Sequence, residues 1–319
     1  MRIVVTGAAG FIASNLIPRL IRRGDEVLGI DNFFLGKRAY VQGMSSLAGF
    51  RFVEQDLLER DAVRALFEGF KPERVWHLAA NSDISYGTKY TDFDLKGGTL
   101  VTYNVLEAMR LCGTRSIVFS SSGAIYGEPT VHPTPEEYGP IFPISLYAAS
   151  KLACEGLVSA YAHNYDMQAR MYRFGNIVGP NPTHGVIHDF VLRLHDEPTR
   201  LRILGDGSQS KPYVHVDDCL DGMELGIAKG TGPLTCFNLA VADQTSVHEI
   251  ADGVMRAMGL DPAKVALEFT GGNRGWKGDV PFVNLDSSRI RALGWQPKYT
   301  SGQAVKQAIT EAIAALLKK

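Results

Sequence analysis

The sequence predicts an α/β fold, a doubly wound parallel sheet with helices on both faces, followed by a smaller C-terminal α/β lobe. Three observations predict it. Short apolar runs alternate with segments of helical periodicity through the first half of the chain. A glycine-rich turn follows the first apolar run, and an acidic residue ends the second. In the second half, Gly and Pro separate short helical segments from one another.

The first half of the chain consists of predicted strands separated by predicted helices. Strands are predicted at 2–5 (RIVV), 26–30 (EVLGI), 51–55, 75–79, 116–120 and 169–174. Helices are predicted from Phe11 to Arg23 and at 59–69, 92–111 and 147–165. Strands this apolar, when helices separate them, indicate a parallel sheet that is covered on both faces.

The glycine-rich turn has the spacing of a dinucleotide site. Gly7, Gly10 and Ala13 lie between the first predicted strand and its helix, so a pyrophosphate can approach the backbone and the helix N-terminus. Asp31, at the end of the second strand, can accept hydrogen bonds from both ribose hydroxyls and repels a 2′-phosphate. We therefore predict a Rossmann-type site that prefers NAD to NADP, and a glycine turn without a ligand is the alternative.

The second half is expected to form a separate lobe. Short helices are predicted at 186–195, 217–228 and 246–258, and a final amphipathic helix is predicted to run to Leu317 with Ser301 as its N-cap. We predict that residues 1–175 form the NAD-binding domain, with a return segment near 213–240. Residues 176–319 are predicted to form mainly the second lobe, with a cleft between the two.

Composition and charge exclude several classes of partner. The chain has 33 Lys and Arg against 34 Asp and Glu, which disfavours nucleic acid and acidic membranes. No apolar stretch approaches the roughly 20 residues of a membrane span, and the N-terminus lacks the pattern of a signal peptide. We expect a cytoplasmic protein without a metal, because neither the scattered cysteines nor the histidines form a ligand set. The cysteines are Cys112, Cys154, Cys219 and Cys236, and the histidines include His77, His163, His184, His188 and His215.

Tyr147 and Lys151 form a candidate catalytic pair. They are four residues apart on a predicted helix, so both side chains lie on one face. A free tyrosine has a pKa of about 10, and a nearby ammonium and a positive nicotinamide ring are expected to favour its phenolate. Tyr147 could then remove a proton from a substrate hydroxyl while hydride leaves the same carbon. A surface Tyr–Lys pair is the alternative.

A series of motifs extends over almost the whole chain. They are TGAAGFIAS (6–14), IDN (30–32), HLAA (77–80), FSSSGAIYG (119–127), YAASK (147–151), RFGNIVGP (173–180), LGDGSQSKPYVHVDD (204–218), GWKGDVP (275–281) and LGW (293–295). In this order they resemble the extended short-chain dehydrogenase/reductase family, the NAD-dependent epimerases and dehydratases. Within the family the chain looks most like the UDP-galactose (UDP-glucose) 4-epimerases, particularly the compact archaeal type with a THGVI-like segment, here at 183–187.

The resemblance implies roles for individual residues. Ser122 would bond the reacting hydroxyl, although it could instead satisfy only turn backbone, and Lys151 would also bond the nicotinamide ribose. The implied NAD site consists of Gly7, Gly10, Phe11, Ile12, Asp31, Asn32, Asp56, Leu57, Leu78, Ala79, Ala80, Ser120, Tyr147, Lys151 and Phe174. The implied UDP-sugar site consists of Ser122, Asn176, Val186, Ile187, Leu204, Lys211, Arg274, Asp279 and Val283.

Within that substrate site the implied contacts differ. Asn176 would contact the diphosphate, the backbone near Val186 and Ile187 and the 201–204 strand would hold uracil, and Lys211, Arg274 and Asp279 would bind phosphates and ribose. Val283 would lie near the C2 substituent of the sugar, or would simply be an inward strand residue. Lys211 and Arg274 could equally be solvated surface charges.

The chain departs from the family pattern at three places. Lys211 stands where Arg is usual, which loses a bidentate contact. Residues 81–83 lack a lysine that some epimerases carry beside NAD. Asp94 replaces a frequent Asn just before a helix.

The residues that follow Ser122 discriminate between reactions. Related 4,6-dehydratases place an Asp-Glu pair there, whereas this chain has Gly123-Ala124, so elimination would lack its acid and base. The resulting prediction is a UDP-hexose 4-epimerase with resident NAD. The alternatives are another NDP-sugar epimerase or ketoreductase, and an NAD(P)-sensing regulator. A homodimer is predicted because the helices at 92–111 and 147–165 are apolar on more than one face, and family members often pair them.

Overall fold

The computed structural model describes residues 1–272, 274–276, 278–280 and 282–317. Asn273, Lys277 and Pro281, the last two in the GWKGDVP motif, lie outside the described residues.

Seven parallel strands form one central sheet. Its strands are β1 Arg2–Thr6, β2 Glu26–Asp31, β3 Phe50–Glu54, β4 Arg74–His77, β5 Ser116–Ser122, β6 Gln168–Phe174 and β11 Leu234–Leu239. Their order in the sheet is β3-β2-β1-β4-β5-β6-β11. Three two-stranded sheets are made of β7 Asn176–Val178, β8 Arg200–Ile203, β9 Ser210–Lys211, β10 Tyr213–His215, β12 Thr245–Ser246 and β13 Ala266–Phe269. The predicted fold class is confirmed.

Helices cover both faces of the sheet and build the second lobe. They are α1 Phe11–Arg22, α2 Arg38–Met44, α3 Arg60–Phe70, α4 Ile84–Lys89, α5 Val101–Cys112, α6 Leu146–Asn164, α7 Val186–Asp196, α8 Val216–Lys229, α9 Val247–Ala257, α10 Ser288–Ala292 and α11 Ser301–Leu316. The short helices α2, α4 and α10 were not predicted. The helix expected at 92–111 contains a π-helical turn, Leu95–Leu100, before α5, and such turns are common at functional sites.

Apolar cores hold these layers together. One face of the sheet packs on α1 and α8, which contribute Leu16 and Leu220 to the first core. The other face packs on α3, α5 and α6, and Phe67 and Val158 belong to this second core. A third core joins α7, α9 and α11 to β8 in the C-terminal part. The sheet is thus buried on both faces, which explains the continuous apolar runs of its strands.

The last helix begins one residue earlier than predicted. Thr300, not Ser301, is the N-cap of α11: its side chain accepts from the N–H of Gln303, and Gln303 in turn accepts from the N–H of Thr300. Ser301 is instead buried, and its hydroxyl accepts from the N–H of Tyr213 at 3.1 Å. Its polar side chain therefore joins the helix to β10, a contact that local sequence does not show.

Candidate functional site

The strand order reverses at β1, which pairs with β2 on one side and β4 on the other. Beyond the carboxyl ends of these strands lies a cleft of about 410 Å³, the place where parallel sheets of this kind bind ligands. Every residue predicted to bind the cofactor lines this cleft. Sequence reasoning missed several other lining residues: Phe34, Phe93, Lys96, Thr183 and His184. These come from loops and helices that only the tertiary fold brings to the sheet edge.

The glycine turn has no room for a side chain at Gly7. Gly7 has φ +70°, and a Cβ there would lie 2.8 Å from the backbone nitrogen of Ala79. Its N–H donates to the carbonyl of Ile30 at 2.9 Å. No side chain caps the start of α1, so the first N–H groups of this helix remain available to an anion.

Asp31 ties the glycine turn to the end of β2. Its Oδ2 accepts from the N–H of Ala9 at 3.0 Å, and its Oδ1 accepts from the N–H of Phe33 at 2.7 Å. Burial raises the pKa of Asp31, while these two hydrogen bonds oppose the rise. Carboxylate oxygens have further lone pairs, so both oxygens can still accept from a ribose at this edge of the cleft.

The three predicted catalytic side chains lie together at the end of β5. Lys151 is 4% exposed, and its Nζ donates to the carbonyl of Ser120 at 2.6 Å. The hydroxyls of Tyr147 and Ser122 share a hydrogen bond. Ser122 Oγ also accepts from the N–H of Ala124 at 3.1 Å. Ser122 therefore satisfies turn backbone and faces Tyr147 at the same time.

Burial dominates the protonation of this pair. It raises the pKa of Tyr147 to about 12 and lowers the pKa of Lys151 to about 8, and the hydrogen bond from Ser122 lowers that of Tyr147 only in part. The carboxylate of Asp94 acts to raise both values. For the side chains alone, desolvation therefore favours the neutral phenol of Tyr147, whereas the expectation of a phenolate also counted the positive charge of the nicotinamide ring.

Two of the departures from the family pattern lie beside α6 and the cleft. Asp94 is 2% exposed and accepts from the side-chain amide of Asn81 at 2.9 Å, while its main-chain oxygen accepts from Ser150 at 2.7 Å. Asn81 itself lines the cleft. A different lysine, Lys96, also lines it and pairs with Asp92. The absence of a lysine at 81–83 thus does not leave the cleft without a cation.

The charged residues predicted to bind the nucleotide form one cluster. Lys211 Nζ lies 2.6 Å from Asp279 Oδ1, and Arg274 donates to the carbonyl of Asp279 at 2.9 Å. Arg274 also pairs with Glu128 at 2.6 Å. Both cations are therefore engaged by oxygens of the chain, with Lys211 16% exposed and Arg274 35% exposed.

The other predicted substrate residues are more dispersed. Leu204 is 39% exposed, whereas the side chain of Ile187 belongs to the C-terminal core, which leaves only its backbone for a base. Val186 begins α7, and Asn176 hydrogen-bonds through its side chain to Tyr213. Val283 packs against the apolar cluster of Ile125, Tyr126, Ala240 and Leu285, and it does not belong to a strand.

Several residues are structural. His77 is fully buried between the hydroxyls of Thr6, at 2.7 Å, and Thr102, at 3.0 Å, and burial lowers its pKa to about 3. The four cysteines are unpaired. Within the described ranges, no cluster of His, Cys, Asp and Glu could hold a metal ion, and no helix could cross a bilayer.

The fold and site define a class of Rossmann-type enzymes that carry a Tyr–Lys pair beside a dinucleotide cleft. Residues 3–240 match the NAD dependent epimerase/dehydratase family. The chain belongs to this family, which confirms the prediction, and NAD is the cofactor of the family.

Individual relatives span the whole chain. A UDP-glucose 4-epimerase of Mycolicibacterium smegmatis is 34% identical over 316 residues, which cover 97% of each chain. The crystal structure of a Thermus thermophilus UDP-glucose 4-epimerase with NAD has a TM-score of 0.86 at 30% identity, over 99% of this chain and 100% of that one. A dTDP-glucose 4,6-dehydratase double mutant of Streptomyces venezuelae with NAD has a TM-score of 0.88 at 25% identity, over 99% and 98%. The fold alone therefore does not separate epimerases from dehydratases.

Proposed function

We propose that the protein is an isomerase, an NAD-dependent nucleotide-sugar 4-epimerase that interconverts UDP-glucose and UDP-galactose. The observation that carries the proposal is the convergence of Tyr147, Lys151 and Ser122 at the end of β5, where Tyr147 and Lys151 line the cleft. The similarity to UDP-glucose 4-epimerases over the full length supports it.

The side chains account for the proton chemistry at one carbon. NAD held in this cleft would supply a hydride acceptor for the C4–H bond of the sugar, and hydride returned to the opposite face of the 4-keto sugar would give the epimer. Tyr147 takes the proton of the C4 hydroxyl as this C–H bond breaks and gives it back on return. Ser122, bonded to Tyr147, orients that hydroxyl. Lys151 holds the ribose and supplies the positive charge that opposes the raised pKa of Tyr147.

The turn after Ser122 argues against dehydration. A Cβ at Gly123 would lie 2.8 Å from Leu285 Cδ1 and 3.1 Å from the carbonyl of Phe174. A carboxylate side chain therefore has no space at this position. Without an acid and a base beside the reacting hydroxyl, oxidation and reduction at a single carbon remain.

The direct test is to incubate the purified protein with UDP-, GDP-, CDP- and dTDP-hexoses and to resolve the products by chromatography. We expect conversion between UDP-glucose and UDP-galactose without added NAD, because the cofactor is resident. A dependence on added NAD(P)H, with reduced sugar as product, would favour a ketoreductase. Binding of NAD(P) without turnover of any sugar would favour a regulator.

We also propose that the protein forms a homodimer through the two helical segments 95–112 and 146–164. Leu95, Leu100 and Leu111 are exposed on the first, and Leu146 is exposed on the second. Exposed leucines on neighbouring helices are typical of a helix-pairing interface. Light scattering at micromolar protein should give the mass of two chains, and the mass of one chain would refute the proposal.

We propose a cytoplasmic location because of the state of the four cysteines. All four are free thiols, and Cys154 and Cys219 are buried. Unpaired cysteines are typical of a reducing compartment. Fractionation of the source cells, followed by detection of the protein with an antibody, would test this.

We further propose that N-acetylated sugars are tolerated. Val283 is short, and it lies with Ile125 and Leu285 beside the turn that follows Ser122. A valine leaves more room than an aromatic ring for an acetamido group at C2. Because extra apolar volume contributes only about 1–3 kcal/mol, we expect tolerance and no strong preference.

A further inference from the structure

One face of α6 is hydrogen-bonded to three successive residues at the end of β5. Tyr147, Lys151 and Glu155 follow each other at intervals of four and so share this face. Tyr147 and Lys151 bond residues 122 and 120, as described above. Glu155, which the sequence analysis did not single out, accepts from Ser121 Oγ at 2.6 Å. Each of the residues 120–122 thus bonds a different turn of the helix.

Glu155 is held by a buried ion pair. Its Oε2 lies 2.6 Å from Arg173 Nη2, and its Oε1 accepts from Arg173 Nε at 2.9 Å. The two side chains are 6% and 8% exposed. Arg173 is the register partner of Ser121 across β5 and β6. This bidentate pair therefore joins α6, β5 and β6 at one point.

The other end of the guanidinium holds the turn that follows Ser122. Arg173 Nη1 donates to the hydroxyl of Tyr126 at 2.7 Å and to the carbonyl of Glu136 at 2.8 Å. Tyr126 donates in turn to Asn238 Oδ1 at 2.9 Å. Ser122 therefore lies between two residues, 121 and 126, that are both anchored to the same ion pair.

We propose that Glu155 and Arg173 are positioning residues for the reaction, which fix α6 against the turn that carries Ser122. The inference rests on the proposed function, since it concerns the geometry of that reaction. Neither residue is among those that line the cofactor cleft, so each acts through its contacts. A buried ion pair contributes little net stability, because desolvation offsets its attraction. The pair is nevertheless bonded both to α6 and to the turn that carries Ser122, so it can hold these two catalytic segments in place even if it adds little stability.

The main test replaces the pair by apolar side chains of similar length, Glu155→Met with Arg173→Met, since such replacements are often neutral for stability. We expect a melting temperature within a few degrees of wild type, unchanged NAD content and KM within threefold. We expect kcat to fall at least tenfold, because Tyr147 and Ser122 are no longer held in register.

Arg173→Lys is the second variant. It keeps a cation for Glu155 but loses the fork that reaches Tyr126, so an intermediate loss of kcat is expected. Arg170→Met is the matched control. Arg170 lies on the same strand, is 7% exposed and, among the described residues, donates to the backbone carbonyls of residues 169, 230 and 232. This control should lower the melting temperature without lowering kcat.

Hydrogen–deuterium exchange gives a readout that does not depend on turnover. Peptides covering 120–126 and 146–151 should exchange faster in the double variant and not in Arg170→Met. A folded double variant with wild-type kcat and wild-type exchange overturns the inference. If the double variant does not fold, Arg173→Lys with wild-type kcat and exchange overturns it. If wild-type protein epimerises no sugar, the proposed function fails, and the exchange comparison still decides the positioning role.

Discussion

Replacing Lys151 by methionine should stabilise the protein at neutral pH while abolishing its activity. Burial lowers the pKa of Lys151 from 10.5 to about 8, so the folded state binds this proton more weakly than the unfolded state. Each tenfold loss of proton affinity corresponds to about 1.4 kcal/mol, so a charged Lys151 costs about 3 kcal/mol below pH 8. Methionine has no such cost. It also leaves the carbonyl of Ser120 without its 2.6 Å donor, a loss of about 1 kcal/mol.

The net gain in the free energy of unfolding is about 2 kcal/mol at pH 7. For a chain of this length it raises the melting temperature by about 3 °C. The advantage must vanish as pH rises from 8 to 10.5, because wild-type Lys151 then loses its proton in the folded state while the unfolded state still binds it. Above pH 10.5 the variant should be the less stable protein, since only the lost hydrogen bond remains.

The assay is thermal unfolding of nucleotide-free wild type and Lys151→Met at pH 7, 9 and 10.5. Lys306→Met, which changes an exposed lysine of α11, controls for the substitution itself. A variant that is less stable than wild type at pH 7 would refute the reasoning. So would a stabilisation that stays constant up to pH 10.5.

Three further predictions concern activity and specificity. Tyr147→Phe should fold and keep NAD but lose about 10²–10⁴ in turnover, because only the phenolic hydroxyl is removed; a steady-state rate within tenfold of wild type contradicts its role. Asp31→Ala should weaken NAD binding and reduce the preference for NAD over NADP. Fluorescence titration of the nucleotide-free protein measures both affinities, and unchanged values would show that Asp31 does not contact the ribose. Val283→Tyr should suppress epimerisation of UDP-N-acetylglucosamine but spare UDP-glucose, and equal turnover of the acetylated sugar by variant and wild type removes Val283 from the pocket.

Much of the cofactor site could be predicted from local sequence. The glycine turn, the acidic end of β2 and the Tyr–Lys spacing are all short-range patterns, and in a parallel sheet the carboxyl ends of the strands meet at one edge. Once the order of strands and helices is known, such residues must converge. This is why every predicted cofactor residue lines the cleft, whereas Thr183 and His184, which reach it from the distant loop before α7, were missed.

Protonation could not be predicted in the same way. Sequence shows that Tyr147 and Lys151 lie on one helix face, but not how deeply the face is buried. The structure buries Lys151 against β5. Desolvation then favours the neutral form of each residue, since it raises the pKa of Tyr147 and lowers the pKa of Lys151. Whether the pKa of Tyr147 rises or falls depends on this burial and not on the spacing between the two residues.

By itself, the sequence determined the alternation of strands and helices, the dinucleotide turn and the family, because each depends on residues close together in the chain. Only the tertiary structure decided which buried charges meet. The pairing of Glu155 with Arg173 joins residues 18 positions apart, and that of Lys211 with Asp279 joins residues 68 apart. A carboxylate and a guanidinium have no sequence signal for their partner, since many pairings satisfy the same charges. Packing selects one pairing, because only that pairing buries both charged groups while each keeps its hydrogen bonds.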